Sequence, residues 1–450
     1  MIKSDFDEAF SKDWVKTQIK NSANDLVILR QMIPWQTIIN QLTQLYHNNM
    51  GRLGKSLRVM VALLILSRLR SLSDREVVEQ VKENRYMQYF CNVPDEGLAT
   101  FVNPSLLTRF RKRMGKKGIA IIETEVFELL RQSGIIKGDT LMMDSTVLSS
   151  NIIYPNDVLL IYRAFGKMII FASGYGLSLW WDQAHVKERW RAFGLSEKGG
   201  RAAYLTEFYT LLVPALDTFR IHVEALEVPE LRKDKAQELL ALLTLLSIQT
   251  QQKLAGERHI ENRLVSLDEV DARPIKKGKS YPSCEFGTTL QMSFNRHSLL
   301  RWSAERQGFM ITTENLIGNP NDKTLYGSTL QLFVERMCGY PSTAVTDLGF
   351  RSQENLKKTP DSISHVFLGR SNDVNPEQQD FCRKARSATE GFIAVAKHLR
   401  GFGKSLYPRL QGDRVWTLLC QTAYNLKKFL QLYRNEQLGE GSLISLGLLV

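Results

Sequence analysis

Thr140-Leu141-Met142-Met143-Asp144-Ser145-Thr146-Val147-Leu148 is a short run, apolar on both sides of one carboxylate. Bounded by polar residues, it has the form of a buried strand. Its flanks put Asp144 inside, where an unpaired carboxylate is costly, so Asp144 requires a cation or a hydrogen-bond network. Thr343-Ala344-Val345-Thr346-Asp347-Leu348-Gly349-Phe350 repeats the pattern, with a strand over 342–346 delivering Asp347. A third stretch, Arg386-Ser387-Ala388-Thr389-Glu390-Gly391, reads as helix, with Glu390 among basic residues. Carboxylate oxygens of this kind suit hard divalent cations such as Mg²⁺. A pair of such ions can activate an oxygen nucleophile on one side of a phosphorus and stabilise the leaving oxygen on the other.

Around these stretches the periodicity predicts an α/β protein. Between the second and third, 352–358 is a short helix and 365–368 a short strand; the glutamate helix then opens at Pro376 and runs to about Leu399. On it Arg383, Arg386, Glu390 and Lys397 fall on or near one face, as they also would in a plain salt-bridge row. Residues 414–433 form a last helix. Between Asp144 and Asp347 come strands over 285–295 and 309–315, joined by a polar connection at 297–307, then a helix from Asn321 or Asp322 to about Met337. The basic segment 271–279 reads as a loop into the first of these strands. Residues 155–257 are almost wholly helical, with Pro214 expected to kink or divide one helix. Trp180, Trp181, Trp190 and Phe193 lie there among bases; aromatics so placed can stack on nucleotides, but core packing is the commoner use.

Towards the amino terminus, 1–34 reads as a loosely packed lead-in and 35–135 as helical. Ser73-Asp74-Arg75-Glu76 has the form of a capping box. Pro104 opens a helix whose Arg109, Arg111, Lys112 and Arg113 make a strongly basic face, a second helix spans 121–132, and Gly134 closes it. Short helices ending in a basic one can form a helix-turn-helix-like DNA reader; a solvated basic face is the plainer alternative.

The totals bound the function classes. The 450 residues carry a formal charge of +12, a field that favours polyanions. Five cysteines, far apart, have neither metal-ligand spacing nor a disulfide framework. The polar start of the chain predicts no signal peptide. The apolar runs 59–66 and 239–248 fall short of the roughly 20 residues of a membrane span. A soluble, intracellular protein is expected. His185, His222 and His259 stand singly, and no glycine-rich phosphate loop separates a strand from a helix.

Taken together and in order, five pieces resemble the DDE transposases of bacterial insertion sequences. They are Met143-Asp144-Ser145-Thr146 with 151–157, then 271–275 with Glu285-Phe286-Gly287, Gly318-Asn319-Pro320, Thr346-Asp347-Leu348-Gly349-Phe350, and 386–391. The resemblance implies an RNase H-like mixed sheet flanked by helices over 136–435, interrupted by the helical insertion 155–257. An all-α DNA-binding domain at 35–135 would precede it, and a tail at 436–450 would follow. It implies that Asp144, Asp347 and Glu390 bind two Mg²⁺ ions, with Mn²⁺ a possible substitute. Arg386, Glu390 and Lys397 match the Tyr-x2-Arg-x3-Glu-x6-Lys signature of many relatives, whereas the tyrosine position is Arg383 and position 348 is Leu where many have Arg. The expected activity is cleavage at the ends of an element and joining to target DNA, with Arg386 and Lys397 steadying phosphates. Expected partners are double-stranded DNA (terminal inverted repeats and target) and further copies of the chain, in a bacterial cytoplasm at the nucleoid. The alternatives are a metal-dependent endonuclease that does not join, and an inactive DNA-end-binding protein.

Overall fold

The computed structural model describes residues 10–45, 54–98, 101–197, 201–277, 284–295, 308–363, 365–368 and 376–434. Helices α1 (Lys12–Gln18), α2 (Asp25–Met32), α3 (Trp35–Thr43), α4 (Leu57–Leu69), α5 (Asp74–Glu83), α6 (Arg85–Cys91), α7 (Asp95–Leu98) and α8 (Pro104–Gln132) come first. Strand β1 (Thr140–Ser149) is followed by α9 (Asp157–Tyr175), α10 (Gln183–Leu195), α11 (Arg201–Glu224) and α12 (Glu230–Leu254). Then come β2 (Arg273–Ile275), β3 (Glu285–Asn295), β4 (Met310–Leu316), α13 (Asp322–Met337), β5 (Thr343–Thr346), α14 (Gln353–Lys358), β6 (His365–Leu368), α15 (Pro376–Leu399) and α16 (Arg409–Arg434). The fold is mixed α/β, with a helical amino-terminal region.

The chain divides into two compact units. The first comprises 1–148, 289–316 and 320–450; the second comprises 149–288 and 317–319. In the first, β5 lies between β1 and β6 and is parallel to both. On its other side β1 neighbours β3, and β4 runs antiparallel to β3. β1 is buried on both faces, as a central strand between helical layers must be. Met142, Leu148 and Val345 pack with Phe381 and Ala385 of α15 and Trp416 of α16. Leu141, Met143 and Ala344 pack with Phe127 of α8 and with Tyr326 and Phe333 of α13. The period of two therefore sends alternate side chains of β1 and β5 to opposite layers.

The amino-terminal helices share that second layer. Buried Glu123 of α8 accepts from Arg336 of α13 at 2.7 and 2.8 Å and from Gln421 of α16 at 2.9 Å. Residues expected as a loose lead-in fold too: α2 is capped by Asn24 and buries Leu26, Ile28 and Leu29 in the same core. The expected capping box is present, with Ser73 Oγ accepting from Glu76 N and Glu76 from Ser73 N. The helices predicted from Pro104 and over 121–132 meet without a loop in α8, across a kink at Gly115 (φ 56°, ψ −164°). Gly134 adopts φ 73° past its end.

The second unit holds α9–α12 around its own core, in which Phe165, Phe208 and Phe219 are buried and Trp180, Trp181 and Trp190 are packed against them. Its tryptophans thus serve packing: Trp190 stacks on Tyr162 with centroids 4.5 Å apart. α11 is not divided at Pro214 but continues through it. The segment 271–279, expected as a loop, contains β2, which pairs antiparallel with the first residues of β3; its end lies outside the described residues, as do 297–307 and the tail at 436–450. α9 is long and apolar enough to cross a membrane by length and composition, a segment the apolar-run criterion passed over. Its Ile161, Ala164, Phe165 and Met168 are buried in the core of this unit.

Candidate active site

The register of β1 and β5 decides where the two carboxylates stand, Asp144 in the middle of β1 and Asp347 just past the end of β5. Met142 is level with Val345 in the parallel pair. Two residues further along each strand come Asp144 and Asp347. Carried two residues past the last paired residues, this register brings Asp144 level with Asp347, the first residue after β5. Both keep the parity of Met142 and Val345, so both belong to the α15 layer. Asp144 is half-buried and its Oδ1 accepts from Ser145 N at 2.7 Å. Asp347 is exposed and caps the 3-10 turn Leu348–Phe350, accepting from Gly349 N at 2.7 Å. That cap explains why the strand stops there: the carboxylate takes an amide that would otherwise continue the ladder.

α15 crosses this edge with its basic residues in contact. An Arg386 guanidinium nitrogen lies 3.8 Å from Asp347 Oδ2. Lys397 Nζ donates to Thr146 Oγ1 at 3.3 Å, on the same face of β1 as Asp144. Glu390 lies one turn beyond Arg386 and two turns before Lys397, on the stripe these anchors define. Its side chain is exposed. The stripe stands beside the buried row Cys382, Ala385, Thr389, Phe392 and Ala396, which seats the helix. Arg383 is turned outward, 79% exposed, and pairs with Asp380 of its own helix at 2.6 Å. Among the described residues no three His, Cys, Asp or Glu side chains converge as a metal-holding group. What the structure brings together is the Asp144–Asp347 pair and its two cationic neighbours. Glu390 shares their face without meeting them.

The basic face of α8 is not uniform. Arg109, Lys112 and Arg113 are exposed. Arg111, expected beside them as a DNA contact, is buried. It donates two hydrogen bonds to Asp74, at 2.7 and 2.6 Å, and its guanidinium lies 4.2 Å from the Tyr407 ring centroid. A guanidinium committed to a bidentate carboxylate is not offered to a phosphate. Sequence spacing could not separate it from its neighbours, because the partner carboxylate lies on another helix.

Two contacts to β1 beside Asp144 had no sequence signal at all. Thr146 receives Lys397, and Ser145 donates to Asp322 at the start of α13, at 2.6 Å. Both pairings join residues remote in the chain.

The comparisons with known proteins agree in direction. A family model described as a transposase domain (DUF772) matches residues 15–113, the helical amino-terminal region. An uncharacterised protein of Rhizobium meliloti, ORF8 in the nfe locus, is 31% identical over 164 residues, covering 36% of this chain and 79% of that protein. No solved structure matches. The amino-terminal match shows that residues 15–113 carry a transposase domain, and with this relative it supports a transposase family for the chain.

Proposed function

We propose that the chain is a DDE-type transposase with an RNase H-like core, and that Asp144, Asp347 and Glu390 are its acidic triad. The observation that supports this reading is the β1–β5 register: Met142 is level with Val345, and Asp144 and Asp347 each follow two residues later, with the parity of the face that α15 covers. The strand arrangement supports it: the first core strand, β1, sits between β3 and β5, with β6 outermost beside β5 and β4 antiparallel on β3.

The donor set fits a hard cation. Asp144 and Asp347 offer hard carboxylate oxygens, and no soft ligand is involved. Glu390, exposed on the same stripe of α15 as Arg386 and Lys397, is the third carboxylate of this proposal. Mg²⁺ or Mn²⁺ held there supplies Lewis-acid stabilisation to a reacting phosphate. The chain's own residues do the rest. Arg386 and Lys397 bracket the carboxylates from α15, so a DNA phosphate meets cations on both flanks. Arg386 suits a planar, bidentate grip on its oxygens, and Lys397 a point contact. In cleavage, a water oxygen forms a bond to phosphorus while the bond to the 3′ oxygen breaks, leaving a 3′-hydroxyl. In joining, that hydroxyl oxygen bonds to a target phosphorus and another 3′ oxygen departs. Both are displacements at phosphorus, so one site serves both. Exposed Arg109, Lys112 and Arg113 of α8 provide further contacts to the DNA backbone.

The test is strand cleavage and joining on labelled DNA carrying the flanking ends of the element, with Mg²⁺, Mn²⁺ or EDTA. Boundary nicking and joined product are expected with metal only. Asp144→Ala, Asp347→Ala and Glu390→Ala should each cut nicking by more than about 100-fold, beyond the 10–100-fold typical of an outer contact. Full nicking by any of these variants in Mg²⁺ overturns the triad. Nicking without joining reduces the activity to that of an endonuclease.

A further inference from the structure

A third aspartate stands beside Ser145 of β1 and the turn that Asp347 caps, from the opposite layer. Asp322 is the first residue of α13. It is not needed as the cap, because Asn321 already accepts from Lys323 N at 3.1 Å. Instead its Oδ1 accepts the Ser145 hydroxyl at 2.6 Å, next to Asp144. Its Oδ2 lies 3.1 Å from where a Cβ on Gly349 would stand, two residues past Asp347. Any side chain at 349 would press on that carboxylate. Asn355 completes the connection: its amide donates to Lys323 O and to Phe350 O, each at 2.8 Å. The first turn of α13 is thereby tied to the turn that Asp347 caps.

We infer that Asp322 is a positioning residue that sets the spacing of Asp144 and Asp347. It grips Ser145 on one strand and closes against Gly349 beside the other. The inference rests on the proposed reading of those two aspartates as cation ligands. Its physical basis is that ligand oxygens bind a cation tightly only when outer contacts hold them in place beforehand. A purely helix-stabilising acid at the start of α13 would act through the dipole, and its loss would cost stability but not cation affinity.

The experiment is Mn²⁺ binding to the full chain without DNA, followed by electron paramagnetic resonance, with thermal unfolding in EDTA measured alongside. Asp322→Ala and Ser145→Ala should each weaken Mn²⁺ binding about 10-fold or more. The double variant should be no weaker than the worse single, since both remove one shared contact. Asp322→Asn should retain most of the affinity, because its side-chain oxygen still accepts from Ser145. If Asp322→Ala unfolds, Ser145→Ala, which removes one hydroxyl, carries the test. Wild-type affinity in Asp322→Ala or Ser145→Ala, with loss in Asp144→Ala, overturns the positioning role and leaves the ligand reading standing. Asp322→Asn as weak as Asp322→Ala also overturns it, since the charge and not the Ser145 contact would then matter. Equal binding by wild type and Asp144→Ala overturns the ligand reading itself, and the positioning role with it.

Discussion

Arg111 shows how far a residue's partners outweigh its place in a charge run. It sits among Arg109, Lys112 and Arg113, yet it alone is buried, and its bond to Asp74 holds α8 to α5. Removing Arg111 takes away a buried side chain and leaves Asp74, itself 23% exposed, without its bidentate partner, at a cost of about 1–3 kcal/mol. Arg111→Ala should therefore lower the thermal midpoint sharply. Arg109→Ala and Lys112→Ala, on the exposed face, should change stability by less than about 0.5 kcal/mol. Thermal unfolding of the three variants checks this, and equal midpoints would remove the structural role assigned to Arg111. At the same scale, the identity of the acidic candidates was legible: a carboxylate set in an apolar run is conspicuous. Arg111's pairing was not, because Asp74 lies far away in sequence.

Among the elements, α8 depends on one residue. Gly115 has φ 56° and ψ −164°, a conformation essentially reserved for glycine, and no atom would lie within 4 Å of an added Cβ. The penalty for any other residue is thus conformational and not steric. Gly115→Ala should cost about 1–3 kcal/mol in denaturant unfolding. A neutral result would mean that the two segments of α8 can straighten without loss. The helical periods on either side of Gly115 were readable, and the join was not, since a kink and a loop leave the same break in the pattern. Pro214 carries the converse lesson: α11 runs through it, and buried Leu212, Ala215, Leu216 and Phe219 around it show tertiary packing overriding a local breaker.

Across the whole molecule, two units have separate cores, and one of them carries an acid-labile tie. Asp157 opens α9 and accepts from Lys253 at the end of α12 at 2.5 Å and from Arg263 at 2.7 Å. Burial pushes its carboxyl up, but the two cations outweigh burial and hold it below the usual carboxylate range. A folded pKa below the unfolded value, about 3.9, gives stability that is present above that pH and lost as pH falls towards the folded pKa. The second unit should weaken below about pH 4, and Asp157→Asn should remove that part of the dependence. Calorimetric scans between neutral and acid pH would show it; identical acid profiles for wild type and variant would discount the tie. By itself the sequence determined the mixed α/β class, most strand and helix positions, and the acidic residues worth following, because periodicity and burial of a charge are local properties. Only the tertiary structure decided that β1 and β5 are parallel neighbours with Met142 level with Val345, that Arg386 reaches Asp347 and Lys397 reaches Thr146, and that Asp322 meets Ser145 from the other layer. Strand order and register arise from which apolar faces pack together across long chain separations, and no local pattern encodes that choice.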